Sequence, residues 1–178
     1  PIFAAALEAG LPVGIHFGGS GNPITACGWP SYYIEDHTAM SQAFEAQLVS
    51  IVCEGVFCEF PELRLALIEG GFAWLPGLMW RLDKNYRGLH SEVPWLKKLP
   101  SEYILEHCCA TTQPMEEPKN PQHLMQLIEM IGRDEFLLFA TDYPHWDFDS
   151  PDRALPPVIA GDLRQKIVVD NAVAFYGF

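Results

Sequence analysis

Four side chains able to bind a metal ion or move a proton stand at or just beyond the ends of short apolar runs. His16 lies near the end of run 11–17, and Glu69 follows run 63–68. Asp142 follows run 135–141, with His145 three residues further on. Imidazole and carboxylate groups are ordinary ligands for Zn²⁺ and other divalent ions, and they are also the common general acids and bases. In parallel α/β folds the C-terminal ends of the strands are where ligands bind, and a barrel gathers such ends into one mouth. Each residue also has an ordinary structural reading. His16 can be a hydrogen-bonded structural histidine. Glu69 can accept from turn amides at Gly70-Gly71 or pair with an arginine, and Asp142 can cap the next segment. His145 and Asp147 can form a pair within their loop. What points to a shared site is the recurrence of such groups at three of the four runs.

The runs are the strands that must position these groups. The first is entered from a helix-like stretch, 2–9, ended by Gly10, and leaves through a Gly-rich loop, 18–23. An irregular stretch to about Asp36 follows. Met40, Ala43, Phe44, Leu48, Ile51 and Val52 then recur at spacings of three and four, which predicts an amphipathic helix stopped at Gly55. The second run is followed by a helix with Trp74, Leu78 and Leu82 on one face. The third, weaker run covers 104–111. Asn120 and Pro121 read as the cap and first position of a helix closed by Gly132. After the fourth run, a last helix is expected from near Asp162 to Tyr176-Gly177. Strands apolar on both faces that alternate with helices predict a parallel sheet covered by helices. Segment 92–101, with Pro94, Trp95 and Pro100, reads as a surface excursion within a single domain, 1–178.

Composition narrows the function classes. Eleven Lys and Arg stand against 23 Asp and Glu in 178 residues, a net charge of −12, so the Lys and Arg clusters that bind nucleic acid phosphates are absent. Apolar stretches are broken too often for a membrane span. The first basic residue is Arg64, so a retained leader is not expected. Cys27, Cys53, Cys58, Cys108 and Cys109 are odd in number and lack a C-x-x-C, which reads as reduced thiols in a cytoplasmic protein. Cys108 and Cys109 are expected in the core, on opposite faces of a strand. A phosphate loop at Gly18-Gly19-Ser20-Gly21 is the weaker alternative, because no lysine stands beside it and no helix begins promptly.

Longer motifs carry a resemblance. The stretch 60–76, with Glu69-Gly70-Gly71-Phe72-Ala73-Trp74, resembles the amidohydrolase-related group that includes aminocarboxymuconate semialdehyde decarboxylase. So do Arg81-Leu82-Asp83, Pro12-Val13-Gly14-Ile15-His16, Ala140-Thr141-Asp142-Tyr143-Pro144-His145-Trp146-Asp147 and the closing Asn171-Ala172-Val173-Ala174-Phe175-Tyr176-Gly177. The resemblance implies an α/β fold, the (β/α)₈ TIM barrel of metal-dependent hydrolases, here as about four C-terminal βα units. It implies a divalent metal, most commonly zinc, with His16 as a ligand and Asp142 binding the metal or its water. Glu69 stands where decarboxylase members carry an acid/base histidine, so the implied roles are general base or an orienting group. His145 is then an acid or a substrate contact, and Trp74, Tyr143 and Trp146 wall the substrate. The family's first-strand His-x-His pair has no counterpart here, which leads to the expectation that the chain is the C-terminal half of such a barrel. The implied activity is hydrolysis by metal-activated water, or nonoxidative decarboxylation, of a small carboxylate by a homo-oligomer. The other expectation is a non-catalytic half-barrel that associates with a complementary chain or with itself.

Overall fold

The structure is a computed structural model that describes residues 1–18 and 28–178. Its four strands, β1 (Val13–His16), β2 (Leu65–Ile68), β3 (Cys108–Thr111) and β4 (Leu137–Leu138), form one parallel sheet in chain order. His16 stands opposite Ile68, and Thr111 opposite Leu138, so the strand ends that carry the polar residues lie side by side. The side-chain alternation of a strand divides the sheet into two faces. Leu65, Leu67, Cys108, Ala110 and Leu137 join the large core beneath the helices. Ala66, Cys109 and Leu138 pack on the other face with Phe175.

Among the described residues, eight α-helices accompany these strands: α1 (Ile2–Glu8), α2 (Tyr33–Cys53), α3 (Val56–Glu59), α4 (Leu75–Leu89), α5 (Pro100–His107), α6 (Pro121–Ile131), α7 (Gly161–Gln165) and α8 (Asn171–Tyr176). Helix α2 buries Met40, Phe44, Leu48, Ile51 and Val52, the stripe expected from their spacing. It starts at Tyr33, well before that stripe. The Glu35 carboxylate accepts from the backbone N–H groups of Ser31 and Tyr32 at 2.7 and 2.8 Å and so closes a first turn that has no apolar period. Helix α6 is bounded as expected: the Asn120 side chain accepts from Gln122 N–H at 3.1 Å, and Gly132 turns left-handed at φ 83°.

Three expectations are corrected. The third run is helical as far as His107 and becomes a strand only at Cys108. Pro100 opens α5 there, and the Glu102 carboxylate accepts from Leu99 N–H at 2.7 Å. The fourth run pairs only over Leu137–Leu138, because the Phe139 and Ala140 N–H groups turn to Ile167 O and Thr112 Oγ1, at 3.1 and 3.0 Å. Segment 92–101 is no surface excursion. Leu96 is buried, its carbonyl accepts from the Tyr86 hydroxyl at 3.0 Å, and the Trp95 indole donates to Cys53 O at 2.8 Å.

The last helix begins at Gly161 and widens into a π-helical turn, Lys166–Asp170, before α8. Cys108 and Cys109 are buried on opposite faces, as expected, and burial pushes the Cys109 thiol up to about 11 and Cys108 higher still. Cys27 and the Gly19-Ser20-Gly21 part of the phosphate-loop alternative lie outside the described residues. Among the described residues, no helix is long and apolar enough to cross a membrane.

Candidate active site

Glu69 leaves the end of β2, and Asp142 stands just beyond β4. They are the only non-glycine residues with positive φ among those described, at 65° and 58°. A left-handed backbone is unfavourable for a residue with a side chain, by about 1–3 kcal/mol, and such strain gathers at functional sites. Gly70 and Gly71 hold the turn after Glu69 in place. A Cβ on Gly70 would meet the Phe44 ring at 2.7 Å, and one on Gly71 the Glu116 carboxylate at 2.6 Å.

The turn brings Glu69 Oε2 to 2.6 Å from His16 Nε2. His16 Nδ1 lies against the Phe17 carbonyl, an acceptor only, so that nitrogen carries a proton. The other ring nitrogen, Nε2, faces the carboxylate. Glu69 Oε2 is buried and has no hydrogen-bond partner; its close approach to His16 lacks hydrogen-bond alignment. A proton or a cation is what holds a carboxylate oxygen and an imidazole nitrogen this close. Across the mouth, His145 Nδ1–H donates to Asp142 Oδ2 at 2.7 Å. One ligand atom each from Glu69, Asp142 and His145 lies within 4.8 Å of the other two.

The ordinary partners that Glu69 could have taken are engaged elsewhere. Glu116, from the loop after β3, accepts from the Phe72 and Ala73 N–H groups at 3.3 and 3.1 Å. Arg64 donates instead to the Gly10 and Phe175 carbonyls. The loop pair expected of His145 and Asp147 does not form either. His145 binds Asp142, and Asp147 Oδ2 lies 3.3 Å from His37 Nε2.

A cavity of about 260 Å³ opens beside Glu69 and His145, with Phe17, His37, Met40 and Trp146 also in its wall; Asp142 does not line it, and His16 lines a separate cavity with Phe44 and Gln47. A second, of about 230 Å³, shares His37, Met40 and Glu69 and extends toward Met115 and Glu116. Of the three aromatic residues expected to wall the substrate, Trp146 lines the first cavity and the other two line neither. Tyr143 points to solvent and meets Phe148 edge-on at 5.3 Å. Trp74 packs against the core and donates from its indole to Gly70 O at 2.9 Å. His37 and Tyr33 were not expected at the site. The legible signal was their i, i+4 spacing, which puts both on one helix face.

Comparisons with known proteins agree with this architecture. The family model described as Amidohydrolase matches residues 1–178. No curated protein matches the chain. Among solved structures, an amidohydrolase from Mycobacterium avium subsp. paratuberculosis is similar at 25% identity and a TM-score of 0.79, over 98% of this chain and 44% of its own. The 5-carboxyvanillate decarboxylase of Sphingomonas paucimobilis is similar at 25% identity and a TM-score of 0.64, over 99% of this chain and 52% of its own. A dihydroxybenzoic acid decarboxylase from Polaromonas, with bound manganese and the inhibitor 2-nitroresorcinol, shares the fold at 23% identity and a TM-score of 0.70, over 99% of this chain and 53% of its own. The chain thus spans about half the length of these structures, and its four-stranded parallel sheet corresponds to half of a TIM barrel.

Proposed function

From the premise that the chain belongs to the amidohydrolase family, we propose that it carries the metal-binding and proton-transfer groups of a metal-dependent enzyme acting on a small carboxylate, with nonoxidative decarboxylation as the favoured reaction. The observation that carries this reading is the buried Glu69 Oε2, without a hydrogen bond and 2.6 Å from His16 Nε2, beside Asp142 and His145. The donor set fits a divalent cation, and both Zn²⁺ and Mn²⁺ accept mixed imidazole and carboxylate ligands. His16 and Asp142 would hold it. Bound there, the ion supplies a Lewis acid for the substrate's carboxylate oxygens or for a water molecule. The decarboxylase similarity at 25% identity favours C–C cleavage over hydrolysis.

The chain's own residues take defined parts. His145 donates to Asp142 Oδ2 and so fixes the orientation of that carboxylate. Decarboxylation breaks the bond to the carboxyl carbon and releases CO₂, leaving an electron pair on the carbon that stays behind. That carbon must gain a proton, and Glu69 Oε2 is the group that carries it. In hydrolysis the same oxygen takes a proton from water. The strained turn at Glu69 keeps the carboxylate aimed into the cavity and not at the amides behind it.

The test starts from chelator-treated protein reloaded with Zn²⁺ or Mn²⁺, with CO₂ release and amide hydrolysis measured on a panel of small carboxylates. Metal-dependent turnover that falls at least about 100-fold in Asp142→Asn is expected. Turnover unaffected by chelation or by Asp142→Asn would sink the reading, as would a protein that neither binds metal nor turns over any carboxylate. A second reading, association with a complementary chain or with a second copy, is supported by β1 and β4, each paired with one strand only among the described residues. Size-exclusion chromatography tests this reading, which requires an assembly larger than one chain, and the turnover assay tells it from the first.

A further inference from the structure

We infer that Glu116 is a positioning residue: by occupying the backbone N–H groups ahead of α4 it denies them to Glu69 and keeps that side chain turned toward His16. The inference rests on the reading that Glu69 Oε2 carries the proton, and it adds the residues that hold this oxygen in place.

Glu69 has a nearer place to go. The Phe72 and Ala73 N–H groups follow it by three and four residues and lead into the 15-residue helix α4. Capping side chains reach N–H groups two or three residues further on, and such groups carry the positive end of a helix. Only Gly70 and Gly71 stand between, so no intervening side chain blocks the way. A carboxylate at position 69 is therefore the local partner of these amides. It does not bind them. Glu116 crosses from the loop after β3, 44 and 43 residues away in sequence, and its Oε1 accepts from Phe72 N–H at 3.3 Å and from Ala73 N–H at 3.1 Å. Its Oε2 accepts from the same Phe72 N–H at 3.4 Å.

The same loop grips the other side of the turn. Glu69 N–H donates to Thr111 Oγ1 at 3.0 Å, and this buried hydroxyl donates in turn to Gln113 O at 3.1 Å. Thr111 thus fixes the backbone of Glu69, and Glu116 fixes the two residues beyond Gly71. Between them Glu69 is held at φ 65°. A Cβ on Gly71 would lie 2.6 Å from Glu116 Oε1, so the carboxylate rests directly on the backbone of the turn. With the amides taken, Glu69 Oε2 stands 2.6 Å from His16 Nε2 and makes no hydrogen bond. A buried acceptor without a donor is costly, and turning to free amides would lower that cost. Both carboxylates line one cavity, of about 230 Å³, so the exchange needs no passage through the core.

Removing the Glu116 carboxylate should let Glu69 take its place. The test is urea unfolding of the metal-free unaltered chain, Glu69→Gly, Glu116→Ala and the double variant. Glu69→Gly should raise the urea midpoint of the unaltered chain, because it relieves left-handed backbone. In Glu116→Ala it should lower the midpoint, because it strips the amides of their new partner. In Glu116→Gln, whose side-chain carbonyl still accepts from the amides, the same replacement should raise the midpoint again. A rise in Glu116→Ala, or a fall in Glu116→Gln, overturns the inference. So does a Glu116→Ala chain that does not fold, since Glu69 is then no substitute. On a carboxylate that the unaltered chain turns over, Glu116→Ala should lose about as much turnover as Glu69→Gly, and Glu116→Gln should keep most of it. Full turnover in Glu116→Ala also overturns the inference. The unfolding measurement needs no activity, so the two readings fail separately. Reversal of sign without turnover keeps the hold on Glu69 and sinks the enzyme, and metal-dependent turnover without reversal does the opposite.

Discussion

The two ends of the sheet treat their polar side chains in opposite ways. At the N-terminal end, polar side chains close on backbone carbonyls. Arg64 binds the Gly10 and Phe175 carbonyls, and Arg133 that of Leu105. His107 Nδ1 lies 2.9 Å from Leu63 O, and the Asn171 amide donates to Asp134 O and Leu137 O at 3.0 and 2.8 Å. At the C-terminal end stand both residues with left-handed backbones, Glu69 and Asp142. The only two buried side-chain atoms without a hydrogen-bond partner among the described residues, Glu69 Oε2 and Gln113 Oε1, are there too. One end is closed for stability. The other keeps left-handed backbone and unmet polar groups, the division expected of a barrel.

If that contrast is right, Glu69→Gly should have the largest effect, and of opposite sign on two measurements. Turnover is expected to fall about 10²–10⁴-fold, the usual contribution of a general acid or base. Urea unfolding should show a gain of about 1 kcal/mol, because glycine accepts the left-handed turn. A loss of both activity and stability would make Glu69 a structural residue and break the contrast. Asn171→Leu probes the other end. It leaves the Asp134 and Leu137 carbonyls without their buried donor and should lower stability by about 2–3 kcal/mol, with metal affinity untouched. A change in metal affinity would mean that the two ends are coupled.

The smallest effect is a pH dependence at the closed end. Burial holds His107 below its ordinary 6.5, against the opposing pull of the Leu63 carbonyl and Glu106. The folded state therefore binds fewer protons there than the unfolded chain does. Its contribution to stability is full above 6.5 and is lost as the pH falls through that value toward the lower folded one. Thermal midpoints measured from pH 7.5 down to pH 5.5 should thus fall, and fall less steeply in His107→Phe. Parallel slopes would assign the titration to another group.

Much of the sheet was legible because β2, β3 and β4 are buried on both faces and lie in largely apolar runs. The bounds of α6 were legible because a capping Asn120, Pro121 and Gly132 each act through their own local chemistry. What escaped were boundaries set by side chains of opposite habit. Glu35 and Glu102 close the first turns of α2 and α5 by reaching back to backbone N–H groups, so both helices begin before their apolar stripes do. The site divides along the same line. His16, Glu69, Asp142 and His145 were legible as groups at strand ends. His37 was not, because its partner Asp147 lies 110 residues away in sequence and only the folding of α2 over the β4 loop joins them. Trp74 shows the reverse. Its type and motif suggested substrate, but its indole N–H serves the turn that aims Glu69.

Glu116 has a consequence for what the cavity can admit. Its carboxylate sits on the Phe72 and Ala73 amides that lead into α4, where a helix start would otherwise welcome a phosphate group. The molecule thus supplies its own anion there, tethered by the chain and present at an effective concentration that a dissolved ion cannot match. A phosphorylated metabolite entering from that side meets an occupied seat and a like charge.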